Sequence, residues 1–478
     1  MMVISRCLRI VLCAIFVAQA LLWPLAQAYA HSGDGPSLRF IRDAEIEQYI
    51  RELATPIWRA AGVEPSSMTV ALVESGDVNA FVAEGMNEFF YTGLLLASET
   101  PEQLAGVIAH ETGHVSGGHL IRGREAMRNA SAEAILGMLI AVAAGAASGN
   151  GQAAAGVFSG AQHVAERSFL SFTRMQESSA DAAGMSFLDK AGMTSRGMQE
   201  FFGKLQGQEL MPTGRQDAYV RTHPLTMDRI EAVRHHVELS PLKDAKLDPK
   251  FYPLHERMKA KLLGYLQPQT ALLRTTDNDK RLTARYARAI ALYRTSQPDR
   301  ALALVAGLLK EEPENPYFHE LKAQIEFENG RIADSVQDYK KANALLPDSA
   351  LLREAYGRAL LESKDKGNLD LAIQQLQEAD RLENHTPSVW RLLAAAWGRK
   401  AETTNDPRFA GMATYALAEE AAAQGKDKAA GQLAERAMKI LQIGSPAWLR
   451  AQDIKLSSTP PDEEDAANEH KKREDKGR

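Results

Sequence analysis

The sequence predicts a mostly α-helical chain in two parts, an α+β domain with a small sheet followed by an α-solenoid. Three observations carry this reading. Strand-like runs are confined to residues 68–92. A helix opening near Pro101 carries the pattern H-E-x-x-H at His110-Glu111-Thr112-Gly113-His114. From about residue 280 the strand signal stops, and small residues recur at helical-pair spacing. The composition sets outer limits. A chain of 478 residues has a soft prior of about three domains. With 45% hydrophobic and 24% charged residues, collagen-like and wholly disordered classes are excluded. A net charge of −5 argues against a dedicated nucleic-acid binder, which carries a basic face.

Residues 1–30 read as a cleaved signal peptide. Arg6 and Arg9 form a positive start, Ile10 to Leu22 run apolar, and Ala28-Tyr29-Ala30 supplies an A-x-A cleavage site. The apolar run is short of the roughly twenty residues that a membrane span needs. Cleavage after Ala30 removes Cys7 and Cys13, the only cysteines, and takes the net charge to −7. The exported chain then has no disulfide, no zinc–thiolate site and no cysteine nucleophile.

Residues 31–240 form the first expected domain. Ile41, Ile46, Ile50, Leu53 and Ile57 recur at helical spacing and predict a helix over 40–62. The runs 68–73, 78–83 and 88–92 predict strands, parted by Gly76-Asp77 and Gly85. Thr100, Pro101 and Gln103 form a capping box that starts the H-E-x-x-H helix. Between Glu133 and Glu166 no residue carries a formal charge, and the Ala/Gly-rich segment 130–166 is expected to be a mobile hydrophobic hairpin. Residues 241–280 are expected to be a helical linker.

Residues 281–456 read as stacked helix pairs. Ala301, Ser335, Ala372 and Ala430 sit where paired helices need a small residue, and Leu308, Ala342, Ala379 and Ala437 follow each by seven positions. The first interval is 34 and the second is lengthened by the 364–367 loop; an additional helix over 389–400 interrupts the array before Ala430. Gly330, Gly367 and Gly425 are placed in the turns. This period resembles the tetratricopeptide repeat. Residues 457–478 are expected to be a disordered tail.

The chemistry is carried by His110-Glu111-Thr112-Gly113-His114. Histidines four apart share a helix face, so both imidazoles reach one Zn²⁺, with Glu111 beside them to take the proton of an attacking water. Zinc held by three protein ligands keeps a position open. A third histidine in the H-E-x-x-H-x-x-G-x-x-H pattern would stand at 120, but Leu120 is there. His119 falls one residue short, roughly 140° from His114 on a continuing helix, unless Gly117-Gly118 bends the chain. Glu177 is the preferred third ligand, with Asp181 on the same face to hydrogen-bond a ligand histidine from behind.

These residues carry a resemblance. The H-E-T-G-H motif with Glu177-x-x-x-Asp181 resembles the gluzincin family of CAAX prenyl endopeptidases and the HtpX heat-shock protease. Asn79-Ala80-Phe81-Val82, Thr92-Gly93-Leu94-Leu95, and Thr222-His223-Pro224 with Asp228-Arg229-Ile230 are similar to that family's segments, across residues 40–240. Those relatives are integral membrane proteins, and their spanning helices are not matched here. Signal peptide, protease and repeats together resemble periplasmic proteases of outer-membrane β-barrel assembly. The resemblance implies a zincin-like metalloprotease fold with a substrate edge strand and one Zn²⁺ per chain. Its ligands would be His110, His114 and Glu177, with Glu111 as base and Asp181 behind the ligands. It further implies substrate binding at Asn79, Ala80 and Phe81, and Arg229 as an oxyanion stabiliser. His223 falls at the rim of the site, as a removable fourth ligand, an oxyanion donor or a plain surface histidine. The implied partners are unfolded or misassembled outer-membrane β-barrel proteins, the barrel-assembly machinery through the repeats, and a peripheral membrane contact, with no nucleic acid. The competing reading is a chaperone or scaffold acting through its repeats, with a latent zinc site.

Overall fold

The computed structural model describes residues 39–83, 86–119, 173–208, 211, 216–365, 367–383 and 386–458. The expected signal peptide (1–30), the expected hairpin (130–166) and the tail beyond 458 lie outside the described residues. Among the described residues no helix is long and apolar enough to cross a membrane.

Phe40 and Ile41, expected to open the first helix, form strand β1 instead. The reason is Asp43, whose side chain accepts the Ile46 N–H and caps helix α1 (Ala44–Ala60) two residues later. Strands β2 (Thr69–Val73), β3 (Ala80–Ala83) and β4 (Asn87–Tyr91) complete a sheet of order β1-β2-β4-β3. The β2–β4 pair is parallel and the other two are antiparallel. Strand β3 is therefore an edge among the described residues.

Helix α2 (Thr92–Ala97) leads into α3 (Pro101–Ser116). Thr100 accepts the Gln103 N–H as the N-cap, and the Gln103 side chain accepts from Glu99 N–H at 3.0 Å, one residue outside the usual capping box. All of α3 from Gln103 to His114 is buried. It packs against α1, against α5 (Arg196–Leu205) and against β3. The core around it joins Ile50, Leu53 and Trp58 of α1 to Leu72, Phe90, Leu104 and Ile108. A helix α4, described over 173–190, crosses α3, and α6 (Ala218–Thr222) and α7 (Met227–Leu239) close the domain.

The segment expected as a linker contains α8 (Phe251–Leu266) and α9 (Pro268–Arg274), and α8 belongs to both halves of the chain. Its Phe251, Met258 and Leu262 complete the first core, while Ala260 joins the core of the first repeat helices. Lys261, fully buried, pairs with Asp43 at 2.8 Å, and Glu45 beside it accepts from Arg257 at 2.6 Å and from the Tyr286 hydroxyl at 2.8 Å. Arg42 makes a two-pronged bond to Glu383 at 2.7 and 2.9 Å. A cleft of about 830 Å³ lies between the two parts, lined by Arg39, Arg42, Glu74, Lys261, Glu320 and Arg358 among others.

The repeats run as α10 (Leu282–Arg294), α11 (Pro298–Glu311), α12 (Pro316–Glu328), α13 (Ile332–Leu345), α14 (Ala350–Glu362) and α15 (Asn368–Leu382). They continue as α16 (Pro387–Thr404), α17 (Pro407–Ala423), α18 (Asp427–Met438) and α19 (Pro446–Ser457). Ala301, Ser335, Ala372 and Ala430, and the residues seven positions on, are all fully inaccessible. The inserted helix read from 389–400 is α16. Gly330 and Gly425 turn with φ of +77° and +67°, and Ser296 makes the same left-handed turn between α10 and α11. Gly367 does not; its φ is −65° at the start of α15, where the longer 364–367 loop needs no left-handed residue.

Because Met258 is inaccessible in the core that α8 shares with the first domain, Met258→Ala is expected to destabilise the chain by about 2–5 kcal/mol. Denaturant titration checks this, and a loss below about 1 kcal/mol would contradict the role given to α8.

Candidate metal centre

The centre is built by two helices that touch almost backbone to backbone. A Cβ at Gly113 of α3 would stand 2.5 Å from the Ala180 carbonyl oxygen of α4, and one at Gly184 would stand 3.0 Å from Ala109. That contact lets Glu177 and Asp181, one turn apart on α4, face His110 and His114, one turn apart on α3. His223, the residue that ends α6, enters from the third side.

Four side chains converge. His110 Nε2 lies 3.1 Å from His114 Nε2 and 3.3 Å from His223 Nδ1. Glu177 is 3.4 Å from both His110 Nε2 and His114 Nε2, and 3.3 Å from His223 Nδ1. One ligand atom from each of His110, His114, Glu177 and His223 falls within 4.8 Å of the others, and all four residues are buried. Neutral imidazoles with a carboxylate suit zinc.

The surroundings fit a bound cation. Glu111 is inaccessible, and neither carboxylate oxygen has a hydrogen-bond partner among the described residues. His223 Nε2 lies 3.5 Å from one of its oxygens, and burial raises the Glu111 pKa. Burial lowers the basicity of His110, but hydrogen bonds to Asp181 and Glu177 outweigh it and push the imidazole up to about 10. Glu177 is held well below the usual carboxylate range: burial opposes this, and His110 and His223 outweigh burial. The raised proton affinity of His110 marks a pocket whose carboxylates favour positive charge. Under Glu111 lies Glu88, whose carboxylate accepts from Trp58 Nε1 and Thr112 Oγ1. Burial, with Glu111 nearby, pushes Glu88 up to about 8, so near pH 7 it is mostly neutral and adds little negative charge beside Glu111.

Asp181 Oδ1 is 2.8 Å from His110 Nδ1, on the ring edge away from the cluster. Arg229 reaches Asp181 with Nε (2.6 Å) and Nη2 (2.9 Å), Glu177 with Nη1 (3.0 Å) and the Pro224 carbonyl with Nη1 (2.8 Å). The guanidinium is 2% exposed and committed to carboxylates and to the chain beside His223. Asn79 is buried, its Oδ1 accepting from Thr222 Oγ1 at 3.2 Å. Tyr91 N–H bonds the Asn79 carbonyl, so in this register Phe81 pairs with Phe89 and the backbone groups of Ala80 and Val82 point off the open edge. The Phe81 ring stacks on Phe89 at 4.7 Å, on the opposite face from buried Ala80 and Val82. The outward Ala80 carbonyl accepts from His223 Nε2 at 3.3 Å.

Three more residues border the site: Tyr219 was not read from the sequence, Val82 was read only as part of a strand, and His119 only as an alternative ligand. Val82 shares the open edge with Ala80. Tyr219, buried, holds its ring 4.6 Å from that of His223, and its hydroxyl has no hydrogen-bond partner among the described residues. His119 is buried against the back of His114. The outward aim of Val82 follows from strand register, and the place of His119 from the bend at Gly117-Gly118; no local signal marks Tyr219.

Fold and donor set together describe an α+β domain with a candidate metal centre, carried on helical repeats, and the likenesses to known proteins support a metallopeptidase. Residues 41–237 match Peptidase family M48, and residues 286–350 match the tetratricopeptide repeat. The chain is similar to the beta-barrel assembly-enhancing protease of Yersinia pestis, 26% identical over 369 residues, 75% of this chain and 74% of that one. It is similar to the putative beta-barrel assembly-enhancing protease of Vibrio cholerae, 28% identical over 425 residues, 86% of this chain and 83% of that one. Metalloprotease LoiP of Escherichia coli is 26% identical over 204 residues, 42% of this chain and 74% of that one.

Arg229→Met should strand two buried carboxylates without their cation. The expected cost is about 3–5 kcal/mol in the metal-free protein, read by denaturant titration. A change below about 1 kcal/mol would mean that the guanidinium does not order the site.

Proposed function

We propose that the chain is a zinc-dependent endopeptidase and assembly factor of the periplasm, degrading misfolded or stalled outer-membrane β-barrel proteins and promoting correct assembly. The observation that carries this reading is the meeting of His110, His114 and Glu177 beside an edge strand, with a buried Glu111 that has no hydrogen-bond partner among the described residues. The export signal expected at 1–30 and the names of the relatives support the compartment and the client class.

His110, His114 and Glu177 would hold one Zn²⁺, which supplies Lewis-acid polarisation of a peptide carbonyl and acidifies water. Glu111 takes the proton of the attacking water and returns it to the leaving amine; burial has already raised its proton affinity toward that task. The outward backbone groups of Ala80 and Val82 hold an extended peptide by strand addition, a mode that reads conformation more than sequence. Asp181 fixes the ring of His110, and Arg229 fixes Asp181 and Glu177. With its donors spent on those carboxylates, Arg229 is a positioning residue in this reading instead of an oxyanion donor.

His223 supports a second layer, a latent enzyme. Its Nδ1 stands among the ligand atoms while Nε2–H donates to Ala80. Four protein ligands make a closed site, and closed sites are structural. In that resting form the repeats would carry the assembly role, with proteolysis released when His223 withdraws.

His110→Ala and Glu177→Ala are each expected to lose bound zinc; full occupancy in Glu177→Ala would remove it from the ligand set. Glu111→Gln should keep zinc and lose cleavage of an unfolded substrate by about 10²-fold or more. Undiminished cleavage would contradict the assignment of the base. At equal zinc content His223→Ala should cleave faster; a loss of roughly 10²-fold would make His223 an oxyanion donor instead.

A further inference from the structure

We propose that His119 is a positioning residue for the metal centre, fixing the tautomer and aim of His114. This rests on the reading that the cluster binds zinc. Helix α3 ends at Ser116, and Gly118 takes φ of +61°, a left-handed turn that folds the chain back on the helix. His119 thereby lands against His114, with Nδ1 to Nδ1 at 3.1 Å and ring centroids 5.0 Å apart at 80°. It is 6% exposed.

The tautomer follows from which nitrogen is spoken for. His114 Nε2 faces His110 and Glu177. A neutral imidazole that ligates through Nε2 carries its proton on Nδ1. Two imidazole nitrogens 3.1 Å apart share one proton between them, so His114 Nδ1–H donates and His119 Nδ1 accepts. His119 then carries its own proton on Nε2. The arrangement parallels the other ligand of α3: Asp181 stands at Nδ1 of His110, and His119 stands at Nδ1 of His114. One orienting group is a carboxylate, and the other is a neutral ring that adds no charge to the pocket.

The surrounding chain is shaped for this ring. A Cβ at Gly117 would stand 2.4 Å from His119 Nε2, so any other residue there would push the ring aside. The His119 carbonyl accepts from Gln176 Nε2 at 3.0 Å, and Gln176 is the neighbour of Glu177. One residue thus ties the end of α3 to the stretch of α4 that supplies the carboxylate ligand. His119 is not itself a ligand in this geometry, because its acceptor nitrogen is spent on the far edge of the His114 ring.

The test is zinc affinity of the full chain by chelator competition, with the visible spectrum of the cobalt-substituted protein as a second reading. His119→Phe keeps the ring volume without an acceptor, and His119→Asn places an amide oxygen where Nδ1 was. His119→Phe should bind zinc about 10–100-fold more weakly and alter the cobalt spectrum. His119→Asn should restore most of the affinity. Wild-type affinity and an unchanged spectrum in His119→Phe would overturn the proposal, as would equal losses in both variants, which would mean packing alone. If His119→Phe does not fold, Gly117→Ala, which crowds the ring without removing it, should lose zinc affinity; unchanged affinity there overturns the proposal too. Wild-type protein that fails to bind zinc would instead overturn the metal reading itself.

Discussion

The site depends on one contact, the near-touching of α3 and α4 at Gly113 and Gly184. Helices dressed with ordinary side chains pack 8–10 Å apart, and their polar residues reach one another only at full extension. Removing two Cβ atoms lets short groups meet: an imidazole, a carboxylate and a second carboxylate behind it. The H-E-T-G-H motif therefore contains both candidate ligand histidines and the means of bringing the Glu177 carboxylate to them. Its glycine is as much a part of the centre as its histidines.

Bringing Glu177, Asp181, Glu111 and Glu88 into one buried region raises a charge problem. Burying bare carboxylates is expensive. The protein answers with a proton, an arginine and a cation site. Glu88 is kept mostly neutral by burial near Glu111. Arg229 spans Asp181 and Glu177. What remains negative faces His110, His114 and His223, where a divalent cation would complete the balance. Arg229 also holds the Pro224 carbonyl, so the same guanidinium that orders the carboxylates fixes the backbone beside His223.

Much of this was legible in the sequence. The small residues of the repeats could be placed because each pair of helices needs a close approach at a fixed offset, and every one of those positions is inaccessible. The start of α3 was legible because Thr100 and Pro101 carry their capping chemistry in the local sequence. Strand β1 was not: Ile41 fits the helical period of α1, and only the Asp43 cap moves the boundary. The sense in which α8 is shared was also hidden, because an amphipathic helix does not reveal that its two faces enter two cores. His119 was set aside on an angle that holds only for a continuous helix; the left-handed turn at Gly118 removes that premise. The substrate edge was placed by resemblance at Asn79, Ala80 and Phe81, whereas pairing alternation turns Ala80 and Val82 outward.

The two halves of the chain share a buried spine. Lys261, Asp43, Glu45 and Tyr286 join the first helix, α8 and the first repeat helix, and Arg42 reaches as far as Glu383. The repeats are therefore held at a fixed relation to the candidate metal centre. The central claim is that this centre is a single zinc site built from α3, α4 and the residue that ends α6. X-ray absorption at the zinc edge of the resting protein tests it most directly. The account predicts one zinc per chain with three imidazoles and one carboxylate at about 2.0–2.2 Å. Sulfur ligation, or a shell with fewer than three imidazoles, would contradict it.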